Sequence, residues 1–270
     1  MAMTTCNSLF AIRLYKAVNS YRYLSQIYDQ WEKLMGASFS MLIFPKLQQV
    51  LERTHRPIQK MVDLACGTGT LAIAMAKMGV EVIGIDLSEG MLEKARAKAK
   101  KAGLSIPFFC QDMRSFSLTE KVDLVTSFYD SLNHLLTPED LQQAFDAVAG
   151  NLNPGGLFIF DVNNKNCFEK LWQGTSVFHH DEFTLILENT FDEKSFRAQS
   201  LSTLFRRKDK GPLFEKATEL CEERYYPDEV IYNGLNGAGF KVLEKEDFNP
   251  FWEIISIGPV KEFWVCEKQH

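Results

Sequence analysis

The run Val62-Asp63-Leu64-Ala65-Cys66-Gly67-Thr68-Gly69-Thr70-Leu71-Ala72 constrains the fold more than any other part of the chain. Val62 and Leu64 supply an apolar strand, Gly67 and Gly69 supply backbone freedom that a Cβ would obstruct, and a helix resumes at Thr70. A strand that breaks into a glycine turn and then a helix is the opening unit of a parallel α/β sheet. The first turn of that helix presents unpaired N–H groups, while Asp63 sets a carboxylate just before the loop. A nucleotide-like ligand carrying both kinds of charge suits such a turn. The stretch from Gly67 to Ala72 also satisfies the G-x-G-x-x-A form of the dinucleotide fingerprint, so the loop alone leaves the nucleotide open.

The unit then repeats. Val82-Ile83-Gly84-Ile85 ends at Asp86, an acid at a strand tip that can accept both hydroxyls of a ribose. Ser88 opens a helix with the apolar stripe Met91, Leu92, Ala95 and Ala99, closed by Lys98, Lys100, Lys101 and Gly103. Phe108-Phe109-Cys110 leads to Gln111-Asp112-Met113, where a carboxylate and the next N–H would suit adenine; a turn or helix cap is the alternative for Asp112. Val122 to Phe128 reads as the fourth strand, Thr137-Pro138-Glu139-Asp140 as a capped helix start, and Leu157 to Val162 as the fifth strand after Asn153-Pro154-Gly155-Gly156. Strands alternating with helices imply a doubly wound parallel sheet, whose ligands sit beyond the carboxyl ends of the strands. The glycine loop, Asp86, Asp112 and the segment from Phe128 to Asn133 all fall at that edge.

Outside this core, Leu24, Ile27, Tyr28, Trp31, Leu34 and Met35 recur at helical spacing, mostly as packing surface. From about Asn163 to Tyr225 the pattern alternates polar and apolar, as in Phe183 to Glu188 and Ser200 to Phe205, which predicts antiparallel strands with one buried face. The chain returns with a helix from Pro227 to Asn236 and strands from Phe240 to Glu246 and Phe263 to Glu267. At 270 residues and 46% apolar it can bury a full core, and one catalytic domain with an insertion fits this length. The net charge of −5 argues against a nucleic-acid partner. The cysteines at 6, 66, 110, 167, 221 and 266 form no C-x-x-C pair, and His179-His180-Asp181-Glu182 reads as a solvated turn, so no metal is expected. Arg206-Arg207-Lys208 with Lys210 reads as an exposed hairpin tip. No run approaches the roughly twenty apolar residues that cross a bilayer, and Arg13 interrupts the early patch Leu9 to Leu14. The expectation is a cytoplasmic protein with no membrane partner and an undetermined oligomeric state.

Together the blocks VDLACGTGTLA, VIGIDLS, QDM, DLVTSFYDSLNHL and LNPGGLFIFDVN make the chain resemble a class I S-adenosylmethionine-dependent methyltransferase of the small-molecule type, from about Tyr23 onward. The resemblance implies a Rossmann-like sheet of order 3-2-1-4-5-7-6 with an antiparallel β insertion. It implies an N-terminal helical cap (1–55), a donor-binding core (56–164 and 226–270) and an insertion (165–225) over the acceptor site. The implied cofactor set is Tyr28, Asp63, Ala65, Gly67, Gly69, Asp86, Leu87, Met91, Asp112, Met113, Phe128 and Asn133, holding S-adenosylmethionine and leaving S-adenosylhomocysteine. Cys66, inside the loop, reads as a space-filling residue because methyl transfer needs no thiol. Tyr129, Asp130 and His134 are the candidate base residues, with a packed or capping histidine the alternative for His134. The segment Ser127-Phe128-Tyr129-Asp130 lacks the Asn/Asp-Pro-Pro-aromatic sequence that base-amino methylases share, and Cys221-Glu222-Glu223-Arg224 lacks the histidine that related sequences often carry before the arginine. The expected activity is in-line transfer to an N or O atom of a small molecule. A methyltransferase acting on protein or another macromolecule, a nicotinamide-dependent oxidoreductase and a non-catalytic ligand sensor are the alternatives.

Overall fold

The computed structural model describes residues 21–36, 38–209, 211–251 and 257–269. Cys6, the patch Leu9 to Leu14 with Arg13, and Lys210 lie outside the described residues. A 3-10 turn (Leu24–Gln26), α1 (Tyr28–Leu34) and α2 (Phe39–Thr54) precede the first strand. Strands and helices then alternate: β1 (Lys60–Leu64), α3 (Thr70–Lys77), β2 (Glu81–Asp86), α4 (Glu89–Lys101), β3 (Phe108–Cys110), β4 (Val122–Ser127), α5 (Pro138–Asn151) and β5 (Leu152–Asn163). After α6 (Lys165–Leu171) come β6 (Gly174–His180), β7 (Phe183–Asp192), β8 (Arg197–Arg207) and β9 (Phe214–Arg224). The chain closes with α7 (Asp228–Gly237), β10 (Phe240–Phe248) and β11 (Lys261–Lys268).

The main sheet runs β3-β2-β1-β4-β5-β11-β10, parallel through its first five strands, with β11 antiparallel to both neighbours. Since β10 and β11 are its sixth and seventh strands in chain order, this is the expected 3-2-1-4-5-7-6. Alternate side chains of β1 feed two apolar layers. Val62 and Leu64 pack with Phe145 and Val148 of α5, and Met61 packs with Leu47 of α2, Met75 of α3 and Leu92 of α4. The α4 stripe Met91, Leu92, Ala95 and Ala99 is buried, and α5 starts where Asp140 N–H donates to Thr137 Oγ1 at 3.1 Å. Ser88 departs from expectation: its side chain makes no cap, and its own N–H donates instead to Asp86 Oδ1 at 2.8 Å. The Asn153-Pro154-Gly155-Gly156 turn is absorbed into β5, with Gly155 at φ +75°.

The second sheet is the antiparallel meander β6-β7-β8-β9. Alternation marked only β7 and β8, because β9 carries charges on both faces and β6 is short and largely exposed. The N-terminal stripe, expected on one helix, is divided between the 3-10 turn and α1. Leu24 and Ile27 pack on Phe183, Leu185 and Leu204 of the meander, and Leu24 N–H donates to Glu219 Oε2 of β9 at 2.9 Å. Asp29 of α1 accepts from Thr68 Oγ1 at 2.6 Å and from Lys98 Nζ of α4 at 2.9 Å. The N-terminal segment is thereby tied both to the meander and to the glycine loop.

Candidate active site

A cavity of about 740 Å³ opens at the carboxyl ends of β1, β2 and β4. Its floor is the glycine loop. Ala65 (φ +58°) and Gly67 (φ +53°) take left-handed conformations there, and a Cβ at Gly67 would meet no atom within 4 Å, so that face is open to a ligand. Asp63 is 4% exposed; its Oδ1 accepts from Thr126 Oγ1 at 3.2 Å, while its buried Oδ2 has no hydrogen-bond partner. Burial pushes its carboxyl up to about 7, tempered by the Thr126 hydroxyl. A desolvated carboxylate beside a cavity suits a cationic group. Asp86 accepts from the N–H groups of Gly67 and Ser88, each at 2.8 Å, which fixes its carboxylate at the rim and leaves lone pairs for hydroxyls.

Tyr28, Leu87, Met91, Met113 and Phe128 also line this half of the cavity. Asp112 lines it too, but its carboxylate is held by Arg114, whose Nε lies 3.0 and 3.1 Å from its two oxygens. Arg114 in turn donates to Asp140 at 2.9 Å, so the loop after β3 is braced against α5. The buried Cys66 thiol is pushed up by burial, consistent with an inert spacer.

Two residues of the expected cofactor set stand elsewhere. Gly69 lies outside the cavity lining: it starts α3 at φ +74°, and a Cβ there would stand 2.9 Å from Ala95 Cβ, so packing against α4 demands its glycine. Asn133 is fully buried behind the wall, its amide donating to Arg224 O at 2.8 Å and its oxygen accepting from Asn163 N–H at 2.9 Å. Both ends are engaged, so it braces β5 against β9.

The other half of the cavity is walled by Tyr21, Tyr129, His134, Arg197, Glu219 and Glu222. Tyr129 and Asp130 occupy consecutive left-handed positions (φ +62° and +53°), held there because both N–H groups donate to the Asp161 carboxylate at 2.5 and 3.2 Å. Burial raises the Tyr129 phenol far above its usual range, so it serves as a hydrogen-bond donor and not as a base. Asp130 turns away from the cavity to Lys261 Nζ at 2.5 Å, and Lys261 also reaches Asp161 at 2.7 Å and Asn163 at 2.9 Å. Burial works to raise Asp130, but the Lys261 charge outweighs it and holds the carboxyl below its ordinary range. Asp130 is absent from the cavity lining and paired to Lys261, a placement behind the wall that departs from the expectation of a direct base.

His134 does face the cavity. Its Nε2 lies 3.2 Å from Tyr21 Oη and its Nδ1 3.2 Å from Glu222 O, and burial lowers its pKa so that the ring is neutral. Glu223 Oε1 stands 3.8 Å from Nε2, and Cys221 Sγ 3.7 Å from Nδ1. One donor atom from each of His134, Cys221 and Glu223 lies within 4.8 Å of the others, a grouping of metal-ligand types that the sequence pattern did not anticipate. Sequence reasoning left the 221–224 segment in doubt for want of a histidine; the meander nonetheless brings it against His134, a contact no local pattern encodes.

The model of a methyltransferase domain family matches residues 61–156, from β1 to the glycines of β5. A protein named as a methyltransferase in Geobacillus sp. (strain WCH70) is 32% identical over 218 residues, 80% of this chain and 83% of that protein. The crystal structure of a S-adenosylmethionine-dependent methyltransferase from Clostridium acetobutylicum ATCC 824 is similar with a TM-score of 0.79 and 25% identity, over 93% of this chain and 100% of that chain. The chain belongs to the class I S-adenosylmethionine-dependent methyltransferases. A further relative, the dTDP-3-amino-3,4,6-trideoxy-alpha-D-glucopyranose N,N-dimethyltransferase of Streptomyces venezuelae, is 36% identical over 112 residues, 41% of this chain and 46% of that enzyme. S-adenosylmethionine is the cofactor of this methyltransferase, and the lining acids Asp63 and Asp86 beside the open Gly67 face fit its ammonium and its ribose. Among the described residues no helix is long and apolar enough to cross a membrane.

Proposed function

We propose that the protein transfers the methyl group of S-adenosylmethionine to a nitrogen or oxygen atom of a small polar molecule. The observation that carries this reading is the continuity of the cavity: one space of about 740 Å³ runs from Asp63 and Asp86 to His134, Arg197 and Glu222, roofed by the N-terminal segment and β9. That volume lies within the range of small-molecule sites, roughly 300–1,000 Å³. The similarity to an amino-sugar N,N-dimethyltransferase supports a nitrogen acceptor on a polar scaffold.

In this reading residues 21–54 and the meander 174–224 act as the cap and acceptor wall over the donor-binding core. Bound S-adenosylmethionine would supply a sulfonium methyl open to in-line attack by an acceptor lone pair, with the thioether as leaving group. Asp63 holds the donor's ammonium, Asp86 its ribose, and Asp112 with the Met113 N–H its adenine. Ala65, Leu87, Met91, Phe128 and Tyr28 shape the slot. Tyr129 and His134 orient the acceptor, and His134 takes its proton. Aligning two reactants in this way supplies on the order of 7–11 kcal/mol of the barrier, so the protein's main work is positioning. A mass-shift screen of metabolites incubated with enzyme and deuterated-methyl donor tests the proposal. Label in a small amine or hydroxyl compound is the expected result; label confined to protein or nucleic acid refutes it.

A further inference from the structure

Behind the cavity wall lies a buried charge cluster that positioning alone does not require. Glu223 is 2% exposed, Lys261 2% and Asp161 0%. Glu223 Oε2 accepts from Asn163 Nδ2 at 3.0 Å, its carboxyl hydrogen-bonds the Asp130 carboxyl, and its Oε1 stands 3.8 Å from His134 Nε2. Asp130 is anchored on the other side by Lys261. The order from the cavity inward is therefore His134, Glu223, Asp130, Lys261, contributed by the 3-10 turn after β4 (Ser131–His134), β9, the β4 loop and β11. Two adjacent carboxyl groups, one of them paired to a lysine, hold a single proton between them. Burial and the Asp130 charge raise Glu223 well above the ordinary carboxylate range, so that proton resides on Glu223.

We propose that Glu223 and Asp130 form a proton-shift relay that stabilises protonated His134 and so lets His134 act as the base for an acceptor that must lose a proton, a hydroxyl or an alkylammonium. The inference rests on the methyltransferase reading above and names two positioning residues for it. The acceptor lone pair forms the bond to the methyl carbon as the carbon–sulfur bond breaks and its electron pair goes to sulfur. The acceptor proton passes to His134 Nε2, before attack for an alkylammonium and together with attack for a hydroxyl, as Tyr21 Oη gives up its hydrogen bond to that nitrogen. As the imidazolium forms, the shared proton moves from Glu223 to Asp130, which places a carboxylate beside the new cation without changing the charge of the carboxyl pair. The proton leaves His134 for solvent after the product does. Among the described residues, Tyr21 before the 3-10 turn at Leu24, Tyr129 of the β4 loop, Cys221 of β9, Cys167 of α6 and Asp161 of β5 also face the relay; Asp161 pairs with Lys261, whose ammonium also lies over the Tyr129 ring.

Glu223→Gln separates this role from a structural one. A glutamine reproduces the protonated acid, donating to Asp130 and accepting from Asn163, but it cannot ionise. The measurement is the titration of the His134 ring by NMR in the full-length protein saturated with S-adenosylhomocysteine, with His134→Gln identifying the signal. The expected result is a proton affinity of His134 at least tenfold lower in Glu223→Gln, with donor-product affinity and melting temperature retained. An unchanged His134 titration in a folded variant overturns the relay and leaves the methyltransferase reading intact; failure to bind S-adenosylhomocysteine in the unaltered protein sinks that reading instead. If Glu223→Gln does not fold, the carboxyl carbon of Glu223 in the unaltered protein decides. It must move toward its ionised position at the same midpoint as His134, and a signal flat across that midpoint overturns the proposal.

Discussion

Asp63 couples stability to donor binding in a way that changes with pH. Its carboxyl stands at about 7 in the folded protein against an ordinary value of 3.8. The group therefore binds its proton more tightly when folded, and its cost to stability is absent below the unfolded value, grows as pH rises, and is complete above about 7. A shift of about three units at roughly 1.4 kcal/mol each gives a cost of about 4 kcal/mol at pH 8 and under about 2 kcal/mol at pH 5. Asp63→Asn removes the charge, keeps an acceptor for Thr126 and leaves a buried amide donor unpaired, a penalty of about 1–3 kcal/mol. The variant without ligand should then be more stable than the unaltered protein by about 1–3 kcal/mol at pH 8, and this advantage should shrink by about 2–3 kcal/mol at pH 5. Urea unfolding at the two pH values measures the difference, and calorimetry with S-adenosylhomocysteine measures the functional cost. The affinity of the unaltered protein should fall as pH drops below 7, because the ammonium requires the ionised carboxylate, while that of Asp63→Asn should be weaker by about ten- to a hundredfold and flat with pH. A variant that is no more stable at pH 8 and binds equally well at both values would refute the assignment of Asp63 as an uncompensated carboxylate held for the donor.

Lys261→Met should cost about 3–5 kcal/mol in urea unfolding, since it strands the Asp130 and Asp161 carboxylates in the interior; a loss below 1 kcal/mol would mean that their charges are already neutralised by protons. Asn133→Ala removes two buried hydrogen bonds and should destabilise by about 2–4 kcal/mol while leaving S-adenosylhomocysteine affinity within about twofold. A folded Asn133→Ala protein with tenfold weaker binding would place that side chain on the ligand after all.

The donor half was legible from the chain because each of its parts is local. Val62 to Ala72, Asp86 and Asp112 sit at successive strand tips, and a parallel sheet must bring successive tips to one edge. A glycine tolerates a ligand and a crowded helix contact equally well in a sequence pattern; at Gly69 the structure shows the helix contact, a Cβ there standing 2.9 Å from Ala95 Cβ. Asn133 is a related case: a polar residue at the site's edge reads as functional from its position alone, while the structure shows its amide engaged by Arg224 and Asn163. The acceptor half was largely illegible. Its wall comes from residues near 21, 130, 197 and 222, brought together only when the meander folds back over β4.

Short-range pattern determined the alternating α/β sheet, the glycine turn and the carboxylates at the strand tips, since hydrophobic period and turn chemistry act over a few residues. Tertiary structure alone decided how each acid is held: Asp63 keeps an oxygen with no side-chain partner, Asp112 is braced by Arg114 at the cavity edge, and Asp130 is paired by Lys261 from 131 positions along the chain. Burial and charge pairing are properties of what surrounds a side chain in space, and no spacing along the chain encodes them.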